Sequence, residues 1–247
     1  MRHSTIALLA GAIGFGAVQV ASAADMQTKA PVYKAAPMAV FNWTGFYLGI
    51  EGGAAWGRSK HVSTDPAFSG VEIASFNMSG GLFGATAGYN WQAIGSPWVF
   101  GVEGDWSWTD KKGSANDLAP FNSAFVQETK EKWFATFRGR VGYAWDRWML
   151  YATGGGAVAK VDANEFFGPN PARGVNDSET RFGWTVGAGI EGAIAGNWTA
   201  KAEYLFVDYG KIGFFAAPLT PGNCGCVAAD VSVNNHIFRV GVNYIFK

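Results

Sequence analysis

The sequence predicts an all-β fold, an eight-stranded antiparallel up-and-down transmembrane β-barrel with lipid outside and a polar interior. Three observations predict it. One unit occurs three times, as Gly49-Ile50-Glu51-Gly52, Gly101-Val102-Glu103-Gly104 and Gly189-Ile190-Glu191-Gly192. With a side-chain period of two, Glu51, Glu103 and Glu191 point one way and Ile50, Val102 and Ile190 the other. Charge inward and aliphatic outward, over many strands, reverses the soluble pattern and suits a barrel in lipid. Eight alternating segments are joined by connections that are strictly long, then short. Finally, all eleven Trp fall into two groups near the two ends of these segments.

In chain order, residues 1–23 read as a secretory signal. Arg2 supplies the positive start, Ile6 to Val20 is apolar, and Ala21-Ser22-Ala23 has the small-x-small form of a cleavage site, with a cut after 24 almost as good. The apolar run is too short to span a bilayer comfortably, so membrane crossing would fall to a closed sheet. Residues 24–41 carry Pro31 and Pro37, show no period, and read as a periplasmic linker. The barrel is expected over 42–247, with strands near 43–58, 81–91, 98–109, 133–145, 148–160, 180–193, 198–209 and 236–246. Each is long enough to cross as a tilted strand.

Three connections are short, around Gly95-Ser96, Asp146-Arg147 and Gly196-Asn197. Four are long, near 59–80, 110–132, 161–179 and 210–235. Outer-membrane barrels have short periplasmic turns and long extracellular loops, which puts both termini in the periplasm. Trp43, Trp91, Trp98, Trp145, Trp148 and Trp198 lie by the short turns or termini. Trp56, Trp106, Trp108, Trp133 and Trp184 lie toward the long loops. Two aromatic belts at two membrane interfaces account for both groups.

The parity opposite to outward Phe46, Val102, Phe137, Val186, Tyr204 and Val240 yields the inward set. It holds Glu51, Glu103, Asp105, Glu191 and Glu203 with Arg138, Arg140, Arg181, Lys201 and Arg239. Equal numbers of acids and bases suggest a paired network, since unpaired buried charges are costly. Eight strands leave an interior that side chains fill, so a plugged barrel is expected rather than an open pore. Inward glycines such as Gly101 and Gly241 leave room for the long charged side chains.

Composition excludes several functions. Nineteen basic against nineteen acidic residues give no field to attract nucleic acid. Gly187-Ala188-Gly189-Ile190-Glu191-Gly192 matches G-x-G-x-x-G, but it lies inside an alternating strand and opens no helix, so no dinucleotide site is assigned. No zinc-type Cys/His spacing is present, so neither a metal nor another cofactor is expected. His236, with Asp230 or Ser232 near in sequence, is a weak candidate for a lipid-hydrolase site; a histidine facing headgroups is the favoured reading, because no positioned nucleophile accompanies it. Cys224-Gly225-Cys226 in the last long connection suits a strained local disulfide in an oxidising compartment, with an open dithiol as the alternative. No catalytic residue is assigned.

Four stretches carry a family resemblance: Asn42-Trp43-Thr44-Gly45-Phe46-Tyr47-Leu48-Gly49, Arg138-Gly139-Arg140-Val141-Gly142-Tyr143-Ala144, Tyr151-Ala152-Thr153-Gly154-Gly155, and Lys201-Ala202-Glu203-Tyr204-Leu205-Phe206-Val207-Asp208-Tyr209-Gly210. As a set they resemble the small outer-membrane barrels of alphaproteobacteria, often labelled porin-family or opacity-type surface antigens. The resemblance implies an outer-membrane location and a structural or surface-interaction role. It also implies outer-membrane lipid, lipopolysaccharide, and periplasmic and barrel-assembly chaperones as partners. It transfers no catalytic residue. Such barrels commonly end on an aromatic residue, whereas here Lys247 follows Phe246. A small-solute porin is the alternative function, and a lipid-modifying enzyme a more distant one.

Overall fold

The computed structural model describes residues 41–214 and 228–247. The expected signal, the expected linker up to residue 40 and the Cys224/Cys226 pair lie outside the described residues. The strands are β1 (Gly45–Ser63), β2 (Glu72–Gln92), β3 (Trp98–Thr109), β4 (Lys112–Asn116), β5 (Phe125–Trp145), β6 (Trp148–Phe167), β7 (Asn170–Ala195), β8 (Trp198–Phe214) and β9 (Ala229–Phe246). All pairings are antiparallel, and β1 pairs with both β2 and β9, so the sheet closes on itself. Short β4 continues β3 past a break at Asp110–Lys111, pairing along β5 and meeting β2 only at Ser79. Nine strands therefore form a ring of eight staves, and closure leaves no edge to satisfy in lipid.

The end with short connections turns tightly. Asp146 and Gly196 both take positive φ, 52° each, as two-residue hairpins require. At the opposite end the strands run much further than their expected limits. The stretch expected as a loop at 161–179 is a hairpin, with β6 reaching Phe167 and β7 beginning at Asn170. The expected loop 59–80 shrinks to a connection between Ser63 and Glu72.

The physical reason is a change of sign in the alternation. Mid-barrel, Phe46, Ile50, Val102, Phe137, Val186 and Val240 are exposed on the outer wall while charges face in. Toward the loop end, Phe76, Met78, Phe134, Val161, Val207 and Val231 face in and pack together, while Lys60, Asn77 and Lys132 face out. There the wall follows the soluble rule, apolar inside and polar outside. The strands thus continue beyond the apolar outer band as an ordinary water-facing barrel. An interior stack results, with an apolar cluster of Trp43, Tyr47, Val99, Met149, Tyr151 and Ile245 at the turn end. A charged layer lies in the middle, and the larger apolar cluster at the loop end.

Candidate functional site

The charged layer is assembled from six strands. Glu51 comes from β1, Glu103 and Asp105 from β3, Arg138 and Arg140 from β5, Glu191 from β7, Lys201 and Glu203 from β8, and Arg239 from β9. All nine are buried. Arg138 donates from Nη2 to Glu103 and, at 3.0 Å, to Asp105 Oδ2, and from Nη1 to Glu203 Oε1 at 2.8 Å. Its Nε donates to Thr136 Oγ1 at 2.8 Å, which leaves the whole guanidinium engaged. Arg239 donates from Nη1 to Glu51 and to Asp105 Oδ1 at 3.0 Å, and from Nε to Glu203 Oε2 at 2.8 Å. Lys201 bridges Glu51 Oε2 at 3.1 Å and Glu103 Oε2 at 3.2 Å.

Arg140 lies toward the turn end. It donates to Glu191 Oε2 at 2.8 Å, and its guanidinium carbon stands 3.9 Å from the centre of the Tyr151 ring. Thr199 and Asn243 donate to the other oxygen of Glu191, at 2.6 and 2.9 Å. Tyr47 donates to Glu103 Oε2 at 2.7 Å and Tyr151 to Glu203 Oε1 at 3.2 Å. Fork-shaped guanidiniums matched to carboxylates at these distances are the strong form of charged hydrogen bond.

Glycine makes room for this packing at two instructive places. A Cβ on Gly101 would lie 3.1 Å from Arg140 Cγ, and one on Gly241 would lie 3.2 Å from Glu51 Cβ. A side chain there would also meet the neighbouring backbone, with the Tyr89 carbonyl oxygen 2.8 Å from the Cβ on Gly101 and the Ile50 carbonyl oxygen 2.8 Å from that on Gly241.

Arg181 is the exception among the ten expected lumen residues. It keeps the inward parity of β7 but is 31% exposed, with Glu179 3.9 Å away. Ten residues separate it from Glu191 on the same strand, about 33 Å at the usual rise. It stands at the loop end and does not join the other nine. The buried cluster therefore holds five acids and four bases.

A second polar group lies inside the loop-end core, built from residues of the stretches 59–80, 110–132 and 210–235 that the sequence predicts as long connections. Lys111 donates to Glu131 Oε2 at 2.9 Å and to Asn235 Oδ1, while Asn235 Nδ2 donates to the same Glu131 oxygen at 2.8 Å. All three are buried. Burial lowers the Lys111 pKa, against the opposing pull of Glu131. Nearby, Ser59, His61 and Thr129 form a buried triangle with sides of 3.1 Å. Burial pushes the His61 pKa down to about 4. Asp117 accepts from Gln127 Nε2 at 3.1 Å, and burial raises its pKa to about 6.

The model for the outer membrane protein beta-barrel domain matches residues 10–246. The chain belongs to that outer-membrane β-barrel family. The 31 kDa outer-membrane immunogenic protein of Brucella melitensis is 39% identical over 92% of this chain and 93% of its own length. The 25 kDa outer-membrane immunogenic protein of the same species is 30% identical over 98% of each chain. The 22 kDa outer membrane protein of Rhizobium leguminosarum is 32% identical over 68% of this chain and 65% of its own. Among solved structures, Neisserial surface protein A is 16% identical, covering 82% of this chain and 98% of its own, with a TM-score of 0.42. OprG of Pseudomonas aeruginosa is 11% identical over 83% and 98%, with a TM-score of 0.45.

In this outer-membrane barrel, ten of the eleven Trp face outward. Trp91, Trp98, Trp145, Trp148 and Trp198 are exposed toward the turn end, and Trp56, Trp106, Trp108 and Trp184 toward the loop end. Trp133 stacks on Trp106 with centroids 4.3 Å apart. Trp43 departs from its expected place in the turn-end belt. It shares the parity of Tyr47 and Glu51, so its ring is turned inside and fully buried at the turn end. His236 faces out into an aromatic cluster, hydrogen-bonded to Tyr204 Oη at 2.6 Å and stacked on Trp56.

Proposed function

We propose that this protein is a structural and surface-interacting component of the outer membrane, with an interior closed to solutes and the long-hairpin end outside the cell. The single observation that supports closure is the burial of all nine network side chains, each bonded to partners from other staves. An open aqueous pore would leave such groups hydrated. Apolar clusters above and below the ionic layer add two further barriers to ions. The orientation follows from the usual asymmetry of such barrels, with short turns in the periplasm. The names of the Brucella relatives describe immunogenic outer-membrane proteins, which fits display of the long hairpins.

The porin alternative requires the ionic layer to part. The lipid-modifying alternative requires a nucleophile beside His236, yet Ser232 stands four residues along β9, about 13 Å away. Efflux of small sugars and ions from proteoliposomes tests the proposal. The closed reading expects release at the rate of protein-free vesicles; rapid release of sugars would favour the porin.

A further inference from the structure

We infer that the outer wall formed by β1, β9 and β8 carries a binding site for one phosphate-bearing membrane lipid. The inference needs the barrel to sit in a membrane at its aromatic belts, but it does not need a closed interior.

Two depressions on this wall carry the argument. The upper one, about 330 Å³, is lined by Arg58 and Lys60 of β1, Ser232 and Asn234 of β9, and Asp208 and Lys211 of β8. Pairing puts Lys60 beside Ser232 and Ser232 beside Lys211, with Arg58, Asn234 and Asp208 forming the next row. Arg58 and Lys60 on one side and Lys211, with Asp208 one row below it, on the other thus flank a polar floor about 10 Å wide, the span of two strand spacings. That suits a phosphate group, which prefers several charged donors converging from more than one side.

Lys211 is there because of a bulge. Parity along β8 would turn it inward with Leu205, Val207 and Tyr209. The register shifts between Asp208 and Lys211, and Gly210 takes φ +67°, so Lys211 comes to face Ser232 on the outside. Bulges re-aim side chains in this way and recur at binding sites.

Two of the three cations are also free of a carboxylate partner among the described residues. Among the described residues, Arg58 and Lys211 have no carboxylate within ion-pair distance; Arg58 is steadied by Nε donating to Ser75 Oγ at 2.8 Å. Lys60 faces Glu72 at 3.0 Å, and Asp208 is engaged by the Gly210 amide at 2.7 Å. The lysines on the β5 wall differ from Arg58 and Lys211, since Lys130 faces Glu128 and Lys132 faces Asp162 at 2.5 Å.

Position identifies the ligand as a lipid. Arg58 lies two residues beyond Trp56, whose ring stacks with His236 in the loop-end aromatic belt, so the cationic cradle opens at headgroup height. Lower on the wall, past the outward rows Trp56–His236–Phe206 and Ala54–Phe238–Tyr204, lies a second depression of about 570 Å³. Gly52, Ala200 and Ala202 form its floor, and Ile50, Ile190 and Val240 rise around it. From Arg58 to Ile50 is about 26 Å along the strand, or about 20 Å along the membrane normal at a ~40° tilt. That is about the distance from a headgroup to the bilayer centre. The upper depression and the floor of the lower one share β1, β8 and β9, while Phe83 of β2, Trp148 of β6 and Ile190 of β7 complete the lower rim. A phosphate at the upper site and an acyl chain along this wall describe one amphiphile.

The test is native mass spectrometry of the refolded full chain in neutral detergent, titrated with diphosphorylated lipid A. The same lipid stripped of phosphate and inorganic phosphate alone serve as further probes. One lipid A should remain bound to wild type. R58Q/K60Q/K211Q should weaken binding by roughly tenfold to a hundredfold, at about fivefold per surface charge less what Glu72 and Asp208 offset. K211R should restore binding relative to K211Q, and K130Q/K132Q/K160Q should bind like wild type. Heat-modifiable migration on gels shows that each variant is folded. Four results would overturn the inference: equal binding by the triple variant, equal loss in the β5–β6 control, equal retention of the phosphate-free lipid, or inorganic phosphate binding as tightly as lipid A. A wild type that dimerises through this wall in place of holding lipid would overturn it as well.

Discussion

Arg239 on the last strand donates from Nη1 to Oε1 of Glu51 on the first strand, across the seam where the barrel closes. The two residues are 188 positions apart in sequence. Their pairing therefore reports closure of the ring and not any local hairpin. Arg239 also holds Asp105 and Glu203, so the seam is tied into the whole ionic layer.

Removing Arg239 should be expensive for that reason. Arg239→Met strands several buried carboxylates, and losing one partner of a buried ion pair costs about 3–5 kcal/mol. Adding Glu51→Gln should recover part of the loss, because one stranded charge is removed. Chemical denaturation of the refolded protein measures both. A double variant no more stable than the single would show that Glu51 and Arg239 do not act as a pair.

The outer wall divides at the loop-end belt. Val186→Arg, exposed in the apolar band, should destabilise by about 2–4 kcal/mol. Asn77→Arg also faces outward, but on the polar section of β2 opposite Arg58, and should cost at most about 1 kcal/mol, the scale of a like-charge cross-strand pair. Equal costs would mean that lipid covers both sections or neither.

Much of this was legible as parity. The repeated Gly-x-Glu-Gly unit and the outward aliphatics mark the lipid-facing band, the short turns and the eight-stave ring. Where the alternation changed sign the reading stopped, so β1, β2, β6 and β7 run past their expected ends. Lys111, Glu131 and Asn235 were missed because a buried ionic group in a water-facing section looks like loop composition. Tyr47 and Tyr151 had a readable signal. Each lies opposite an inward glycine on the neighbouring strand, Gly88 and Gly189, whose absent Cβ leaves space for the ring. Arg181 shows the opposite limit, since parity says which face a side chain takes but not whether it reaches the common layer. Trp43, by contrast, is misplaced by its end position alone, although its parity with Tyr47 turns it inward.

Acid should expose the His61 triangle. Its pKa is lowered from 6.5 to about 4 in the folded state, so the unfolded chain binds the extra proton between those values. Stability contributed by the neutral ring is full above pH 6.5 and is lost as pH falls toward about 4, amounting to about 3 kcal/mol. His61→Gln should flatten that part of the stability–pH curve relative to wild type. Parallel curves for the two proteins between pH 7 and 4 would show that His61 is not the titrating group.

Topology is open to direct labelling. In a background lacking Cys224 and Cys226, a cysteine at Pro169 should react with an impermeant thiol reagent on intact cells. A cysteine at Ile94, fully exposed at a short turn, should react only after the envelope is opened. Reaction at Ile94 alone would reverse the orientation.

Single-channel recording of the refolded wild-type protein in a planar bilayer tests the central claim most directly. A barrel filled by its own ion pairs should show no steady conductance, with brief leaks expected only in variants such as Arg239→Met that unpair the layer. Large, stable, long-lived channels in the wild type would contradict a closed interior and make this chain a porin.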